Sequence, residues 1–487
     1  MVSVLIFAPL LAALVIALYE EEDAAFAKRL ALGVSAALTL LALGLYLRYP
    51  GEGFAYLERA AWMPFIGASY HVGLDGLSLP FVVLTPLLGV VSVLASWRKK
   101  NRAFFALLLV LEGALVGVFA ALDLLLFFVF FEVVLVPMFF IIAVWGYEAR
   151  RYAAMKFLLY SLVGSVFLLA AILGTAYFAG EALGRPSFDF FELGKVASHL
   201  AAHPAAPWLF LGFLVAFLIK LPSVPLHTWL PHAHTQAPTA GSIFLAGVLL
   251  KMGGYGLIRF GMGIFPLELA RFAPLLAALG AISVLWGGYV TLAQTDLKRL
   301  IANSSVNHMG YVLLGVASLT AVGLHGAVYQ MVAHGVITAL MFLMVGLLAE
   351  RTHTREIAAM RGVYASAPLL GGIFWLALLG GLGLPGLAGF LGEFQALWGA
   401  YLGEATRGLV WVALAGLLVL VGAMLWTIQR VLLGEREREI ADLDPIELAA
   451  AAPLVVLAVL LGLVPALLTP WIDSGVQPLL AFLRGLL

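Results

Sequence analysis

Apolar runs long enough to cross a bilayer recur along the whole chain, and they leave very few folds open. The stretch "FLLYSLVGSVFLLAAILGTAYF" (157–178) carries no charged side chain. A bilayer core takes about 20 such residues per helix. Lipid offers backbone amides no partner, so only a helix or a closed barrel can pass through it. Runs of helical length fall at 2–19, 27–48, 78–97, 103–121, 122–145, 154–179, 208–230, 236–261, 273–293, 299–320, 322–349, 365–400, 407–433 and 449–471. The chain is 11% charged, against roughly 25% in soluble domains. The expected fold is an all-α polytopic membrane protein with about 14 transmembrane helices. Its N-terminus lacks a basic leader and an Ala-x-Ala cleavage site, and reads as a retained first helix.

Lysine and arginine bias orients such helices. With the N-terminus outside, the inner segments hold Lys28, Arg29, Arg98, Lys99, Lys100, Arg102, Arg150, Arg151, Lys298, Arg299, Arg351, Arg355, Arg361, Arg430, Arg436 and Arg438. The outer segments hold only Arg48, Arg59, Arg185, Lys195, Arg259, Arg271, Arg407 and Arg484. This bias predicts both termini on the outer side of the membrane. Zero formal net charge gives no pull toward nucleic acid. With no cysteine, disulfides, cysteine-held iron–sulfur clusters and thiol catalysis are excluded.

Two stretches resemble each other. "KFLLYSLVGSVFLL" (156–169) and "YQMVAHGVITALMF" (329–342) each precede a helix broken at Leu-Pro, "KLPSVPLHTWLPHA" (220–233) and "GLPGLAGFLGEFQA" (383–396). The run 365–400 is too long for one straight helix and is expected as two half-helices. An odd number of helices separates the copies, so the second is inverted. The reading is two inverted five-helix repeats, each with a discontinuous helix. Residues 1–102 form helices 1–3, 103–261 the first repeat (helices 4–8), 262–433 the second (helices 9–13), and 434–487 the C-terminal helix 14 region. Inverted repeats with broken helices mark secondary transporters, whose ion site lies near the membrane midplane.

An ionisable group at the bilayer centre costs at least a few kcal/mol and is a functional candidate by default. Glu112, Glu132, Lys220, Lys251 and Glu393 lie inside spans, in the company of His308, His334, Ser304, Ser305 and Asn307. Glu112 is readable as a group pairing two helices, and Asp123 and Lys156 as side chains snorkelling from helix ends. His308 and His334 are also readable as satisfied core histidines. Glu132, Lys220, Lys251 and Glu393 sit on four helices, two of them beside breaks, and read as a path. A buried lysine near a carboxylate can give up or regain its proton as the carboxylate shifts, whereas arginine cannot. Such a path therefore carries protons.

Driving protons against a potential needs free energy, about 2.3 kcal/mol per charge per 100 mV. The chain has no Walker motif, dinucleotide fingerprint or cysteine cluster to supply it. One haem could sit between His308 and His334, but a four-histidine, two-haem set is absent. His227, His232 and His234 include no helical i, i+4 pair and stand among prolines, so they read as polar lining of a hinge rather than metal ligands. On residues alone, an autonomous sodium or solute transporter stays open.

The stretches "FFEVVLVPMFFIIAVWG", "KLPSVPLHTWLPHAHTQAPTAGS", "LLKMGGYGLIR", "DLKRLIANSSVNHMGYVLLG", "VYQMVAHGVITALMFLMVG" and "GLPGLAGFLGEF" together are specific. Across its length the chain resembles the antiporter-like proton-pumping subunits of respiratory complex I, the chain M type (mitochondrial chain 4) more than the chain L and N types. The resemblance implies that Glu132 of the fifth helix pairs with Lys220 of the broken seventh. It makes Lys251 the central relay lysine, His308 and His334 the central histidines, and Glu393 the twelfth-helix group. Glutamate rather than lysine at 393 favours the M type over the Mrp-type cation/proton antiporters. The resemblance further implies a subunit of an NADH–quinone oxidoreductase with no cofactor of its own. Flavin, iron–sulfur clusters and quinone would lie in partner subunits, with chains of L and N type as neighbours in the lipid bilayer.

Overall fold

The computed structural model describes residues 1–19, 24–435 and 439–486; Arg436 and Arg438 lie outside them. Helices dominate: α1 (Val2–Leu18), α2 (Ala24–Leu47), a β-hairpin of β1 (Ala55–Met63) and β2 (Ala68–Leu74), α3 (Leu79–Ala95), α4 (Arg102–Ala120), α5 (Leu124–Val133), α6 (Leu135–Trp145) and α7 (Arg150–Leu183). Two short helices, α8 (Phe190–Lys195) and α9 (Ala197–Ala202), lead to α10 (Ala206–Lys220), α11 (Trp229–Gln236), α12 (Thr239–Phe244) and α13 (Lys251–Gly256). Then come α14 (Pro266–Leu292), α15 (Leu297–Ala317), α16 (Ala321–Thr352), α17 (Val363–Ser366), α18 (Pro368–Gly381) and α19 (Ala388–Leu402). The last three are α20 (Val410–Thr427), α21 (Pro445–Leu463) and α22 (Thr469–Leu486). Among the described residues, nine spans are long and apolar enough to cross a membrane.

The loops gather at two ends. At one, the hairpin meets the segments after α4 and α7, with Leu122 N–H donating to His71 O and Leu124 N–H to Phe188 O. At the other, Tyr147 N–H donates to Gln236 O, Lys298 to Ala237 O, and Arg98 pairs with Asp444 at 2.7 Å. The first end carries Arg59, Arg185 and Lys195; the second carries Arg98, Lys99, Arg150, Arg355 and Arg361, as the charge bias anticipates.

Burial sorts the helices by role. The apolar windows of Thr239–Met262 and Ala321–Thr352 are wholly buried, and every residue of α15 except Arg299 is buried. Those of Ala24–Leu47, Arg407–Leu432 and Pro445–Leu463 are 28%, 33% and 33% buried. A polar-bearing core is thus wrapped in helices that leave apolar faces outward, as lipid or partner subunits require.

Both expected breaks form. α10 stops at Lys220, before Pro222 and Pro225, and Trp229 Nε1 donates to the freed Ile219 carbonyl at 2.9 Å. The run 365–400 splits into α18 and α19 around Pro385, with Gly383 and Gly386 at φ of +77° and +94°, a region glycine enters without strain. A third interruption was not expected. The fifth span breaks at Val134, directly after the Glu132 turn, because Pro137 offers no N–H to the Val133 carbonyl and its ring crowds that turn.

The hairpin is also a departure from an all-α fold. Its strands pair antiparallel, Arg59 against His71 and Ala60 against Tyr70, and Glu58 accepts from the Val2 and Ser3 amides at 2.8 and 3.2 Å. A carboxylate there satisfies free N–H groups and complements the helix dipole at the start of α1.

α16 and α19 touch backbone to backbone. A Cβ on Gly326 would lie 2.3 Å from Ala396 N, one on Gly392 2.6 Å from Gln330 N, and one on Gly399 2.2 Å from Gly323 Cα. A Gly326→Val substitution should therefore cost about 3 kcal/mol, at the upper end for overpacking. A drop in the subunit retained in the purified assembly would register it; unchanged retention and thermal midpoint would refute the seam.

Candidate functional site

The first half of the site lies beside the α10 break. Lys220 is 1% exposed. Its ammonium lies 4.9 Å from the Phe131 ring centre and 5.4 Å from that of Phe157, and donates to Ser161 Oγ at 3.2 Å. Glu132 Oε1 accepts from Ser165 Oγ. Ser161 and Ser165 are one turn apart on α7, so they present both hydroxyls along one face. The expected Glu132–Lys220 pair is therefore indirect: no ion pair forms between them within 4.0 Å, and two hydroxyls of a third helix stand between the charges. Ser165 Oγ also lies 3.0 Å from the Ser161 carbonyl, and hydroxyls both donate and accept.

The second half is a line of contacts. Lys251 stands at the start of α13, between two π-helical turns, Leu245–Leu249 and Leu257–Met262. π-turns widen a helix and gather at functional sites. Lys251 is fully buried; it donates to the Ala246 carbonyl and lies 2.7 Å from His334 Nδ1. The His334 ring stands 5.3 Å from that of His308 at an interplanar angle of 66°. His308 Nδ1 is 3.0 Å from Glu393 Oε1, with side chains 4% and 5% exposed. Gln330 Nε2 reaches both, at 3.4 and 3.5 Å. The α18–α19 break completes this end: a Cβ on Gly383 would lie 2.5 Å from Glu393 Oε2, so only glycine leaves the carboxylate its room. Four groups on α13, α16, α15 and α19 thus form a line of proton donors and acceptors. His334 Nε2, the Tyr311 hydroxyl and the Thr338 hydroxyl are buried without a protein partner, the type of atom that holds ordered water.

The sequence profile described as NADH:quinone oxidoreductase/Mrp antiporter, transmembrane, matches residues 121–419, more than half of the chain and all of the line just described. The chain belongs to the NADH:quinone oxidoreductase/Mrp antiporter family. A relative named NADH-quinone oxidoreductase subunit M, from Rhodobacter capsulatus, is 40% identical over 98% of this chain and 96% of its own length. A chain of respiratory complex I from Thermus thermophilus with bound NADH superposes with a TM-score of 0.90 at 35% identity, covering 100% of both chains. A chain of the Mrp complex from Dietzia sp. shares the fold, with a TM-score of 0.87 at 20% identity over 100% of this chain and 98% of that one.

In this member of the family, several polar groups lie where sequence reading did not put them. Ser161 and Ser165 are two polar residues in an apolar run, and that pattern is the local signal for them. Gln330 is a similar case on α16. Lys298, assigned to an inner segment, is 1% exposed. Arg259, assigned to an outer segment, is buried against Asp75 with its guanidinium 4.9 Å from the Phe54 ring. His232 lies 3.3 Å from Lys156 and 2.9 Å from the Thr228 carbonyl. His234 does not lie at a wet hinge: it is fully buried, stacked on Phe342 at 4.6 Å. Glu112 lies apart from the line, accepting from Ser35 Oγ at 2.6 Å. Among the described residues, no cluster of three metal-ligating side chains forms.

Proposed function

We propose that this chain moves protons as the M-type antiporter-like membrane subunit of an NADH–quinone oxidoreductase, respiratory complex I. The observation that carries the reading is the line of contacts Lys251–His334–His308–Glu393 through a buried core, hydrogen-bonded at its two ends and joined by a ring contact between the histidines. The subunit M relative and the complex I chain named above support the assignment by their names and full-length coverage. Electron transfer from NADH to quinone in partner subunits, which hold the flavin and iron–sulfur clusters, supplies the free energy. Chains of L and N type flank it. Fourteen spans arranged as two inverted repeats (103–261 and 262–433) place both termini on the outer face of the plasma membrane. Glu132, Lys220, Lys251, His334, His308 and Glu393 form the relay. The first two shift a proton through Ser165 and Ser161 when charge moves in a neighbouring subunit.

A Glu132→Gln enzyme keeps the shape and the Ser165 contact but removes the negative charge that acts on Lys220. Quinone reduction coupled to proton uptake should fall by about tenfold, the equivalent of one lost interaction of 1.4 kcal/mol in the rate-limiting step. Wild-type stoichiometry and rate in the assembled enzyme would remove Glu132 from the path. An Mrp-type or autonomous antiporter would instead carry cation/proton exchange in proteoliposomes without NADH.

A further inference from the structure

Above Lys251, toward the hairpin end of the bundle, the chain is built differently from the relay. Tyr255 and Arg259 follow Lys251 at intervals of four residues. They therefore rise on its side of the helix, with Arg259 about 12 Å away along the axis. All three side chains are buried. Arg259 Nε donates to the Tyr255 hydroxyl at 3.1 Å, and that hydroxyl donates to the Phe119 carbonyl at 2.8 Å. Arg259 Nη2 donates to Asp75 Oδ1, which also accepts from the Ser78 N–H at 3.0 Å. Aromatic rings fill the space around these groups. The guanidinium lies 4.9 Å from the Phe54 ring centre and 5.7 Å from that of Phe190, and the Phe119 ring stands edge-on to Tyr255 at 5.1 Å.

Two properties make this cap the opposite of a relay. Each member of a proton wire must take up a proton on one side and release one on the other. Arginine does not release its proton, and the Tyr255 proton points at a peptide carbonyl, which has none to pass on. A wire also needs water between its members. Beside the Lys251–Glu393 line, His334 Nε2 and the Tyr311 and Thr338 hydroxyls are buried without a protein partner, whereas no buried side-chain nitrogen or oxygen of Asp75, Tyr255 or Arg259 is left so. The cap has no spare polar atom to hold an ordered water, and an arginine fixed in a narrow passage repels an incoming proton. The charge bias of the loops predicts that the hairpin end lies outside. A pump that loads Lys251 from the inner face must keep that lysine from refilling from the outer one, where each returning charge gains about 2.3 kcal/mol per 100 mV.

We propose that Tyr255, Arg259 and Asp75 form a fixed proton barrier between Lys251 and the outer face, closed because the arginine cannot hand on a proton. The inference rests on the proton-relay reading, but its readout is passive leak, measured without NADH. The intact complex is reconstituted into liposomes, a pH gradient is imposed, and its decay is followed with a pH-sensitive dye trapped inside. Arg259→Lys keeps the positive charge and its pairing with Asp75, but lysine releases its proton. This variant should open the path and raise the passive flux at least about tenfold, a fraction of the roughly 10²–10⁴-fold that a placed proton-transfer group supplies. Asp75→Leu combined with Arg259→Met leaves the space filled and apolar, so it should stay as tight as the wild type. Electron transfer from NADH to quinone, measured with an uncoupler, should be unchanged in both. An Arg259→Lys complex as tight as the wild type would overturn the proposal. So would a double variant that leaks as fast as Arg259→Lys, or loss of the subunit from the Arg259→Lys complex. A tight Arg259→Lys complex beside a pumping failure in Lys251→Arg sinks the barrier alone, whereas normal pumping in Lys251→Arg sinks the relay.

Discussion

A Lys251→Ala enzyme is expected to assemble normally and to lose most of its proton translocation. Lys251 is the only group on α13 that reaches the histidine line, and its contacts are the Ala246 carbonyl and His334 Nδ1. Removing the amine leaves His334 with no proton donor on that side. A positioned proton-transfer group is worth about 10²–10⁴-fold in rate, so transfer through this subunit should fall by at least about 100-fold. Quenching of a pH-sensitive dye in inverted vesicles, measured beside NADH oxidation, separates pumping from electron transfer. Lys251→Arg is the sharper variant. It keeps the positive charge, but arginine does not release its proton, so it should fail as completely as alanine. If Lys251→Arg pumps normally, the site needs only a charge and the relay role is lost. If both variants pump normally, Lys251 is off the path.

The largest effect on stability is expected at Asp75, which follows β2 and reaches the core. Asp75 and Arg259 form an ion pair with side chains 5% and 1% exposed. Arg259 Nε also donates to the Tyr255 hydroxyl at 3.1 Å, which in turn donates to the Phe119 carbonyl at 2.8 Å. Asp75→Ala leaves a guanidinium buried between aromatic rings without a counter-charge. Breaking one partner of a buried pair costs about 3–5 kcal/mol, enough to deplete the subunit from the membrane. Replacing both partners by apolar residues of similar size removes the uncompensated charge. Asp75→Leu combined with Arg259→Met should therefore restore most of the assembled subunit. If the double variant is as depleted as the single one, the pair does more than neutralise itself.

Much of this architecture is written locally. An apolar run spans wherever it lies in the chain, so the spans are legible from hydropathy. The helix α15, with its polar "SSVNH" centre, is not among the nine apolar spans. Leu-Pro pairs mark the two expected breaks because the cost of proline falls on the preceding turn. Pro137 carries the same signal but stands inside an otherwise unbroken apolar run, which masks it. Partners are written non-locally. Nothing near Lys220 or Glu132 in sequence says that Ser161 and Ser165 of α7 intervene. Arg259 looks like an outer-face charge because Asp75 is 184 residues away. The hairpin escaped notice because its alternation is short and broken by "RAA", and because pairing with Glu58 at the start of α1 is a tertiary event. The line from Lys251 to Glu393 was anticipated as a set of residues, but their order of contact comes only from how α13, α15, α16 and α19 pack.

The glycine seam between α16 and α19 has a mechanical meaning. Two helices whose main chains already touch have no compressible layer of side chains between them, and neither can turn about its axis without collision. His334, Gln330 and Glu393 ride on this welded pair, so their spacing is set as firmly as teeth on one gear. We expect no piston-like sliding of one helix past the other in this half. What is left to move is small: a torsion of an imidazole or carboxyl group, or a hop of a proton, each on the scale of an ångström. Cross-linking α16 to α19 along the seam should therefore leave turnover unchanged.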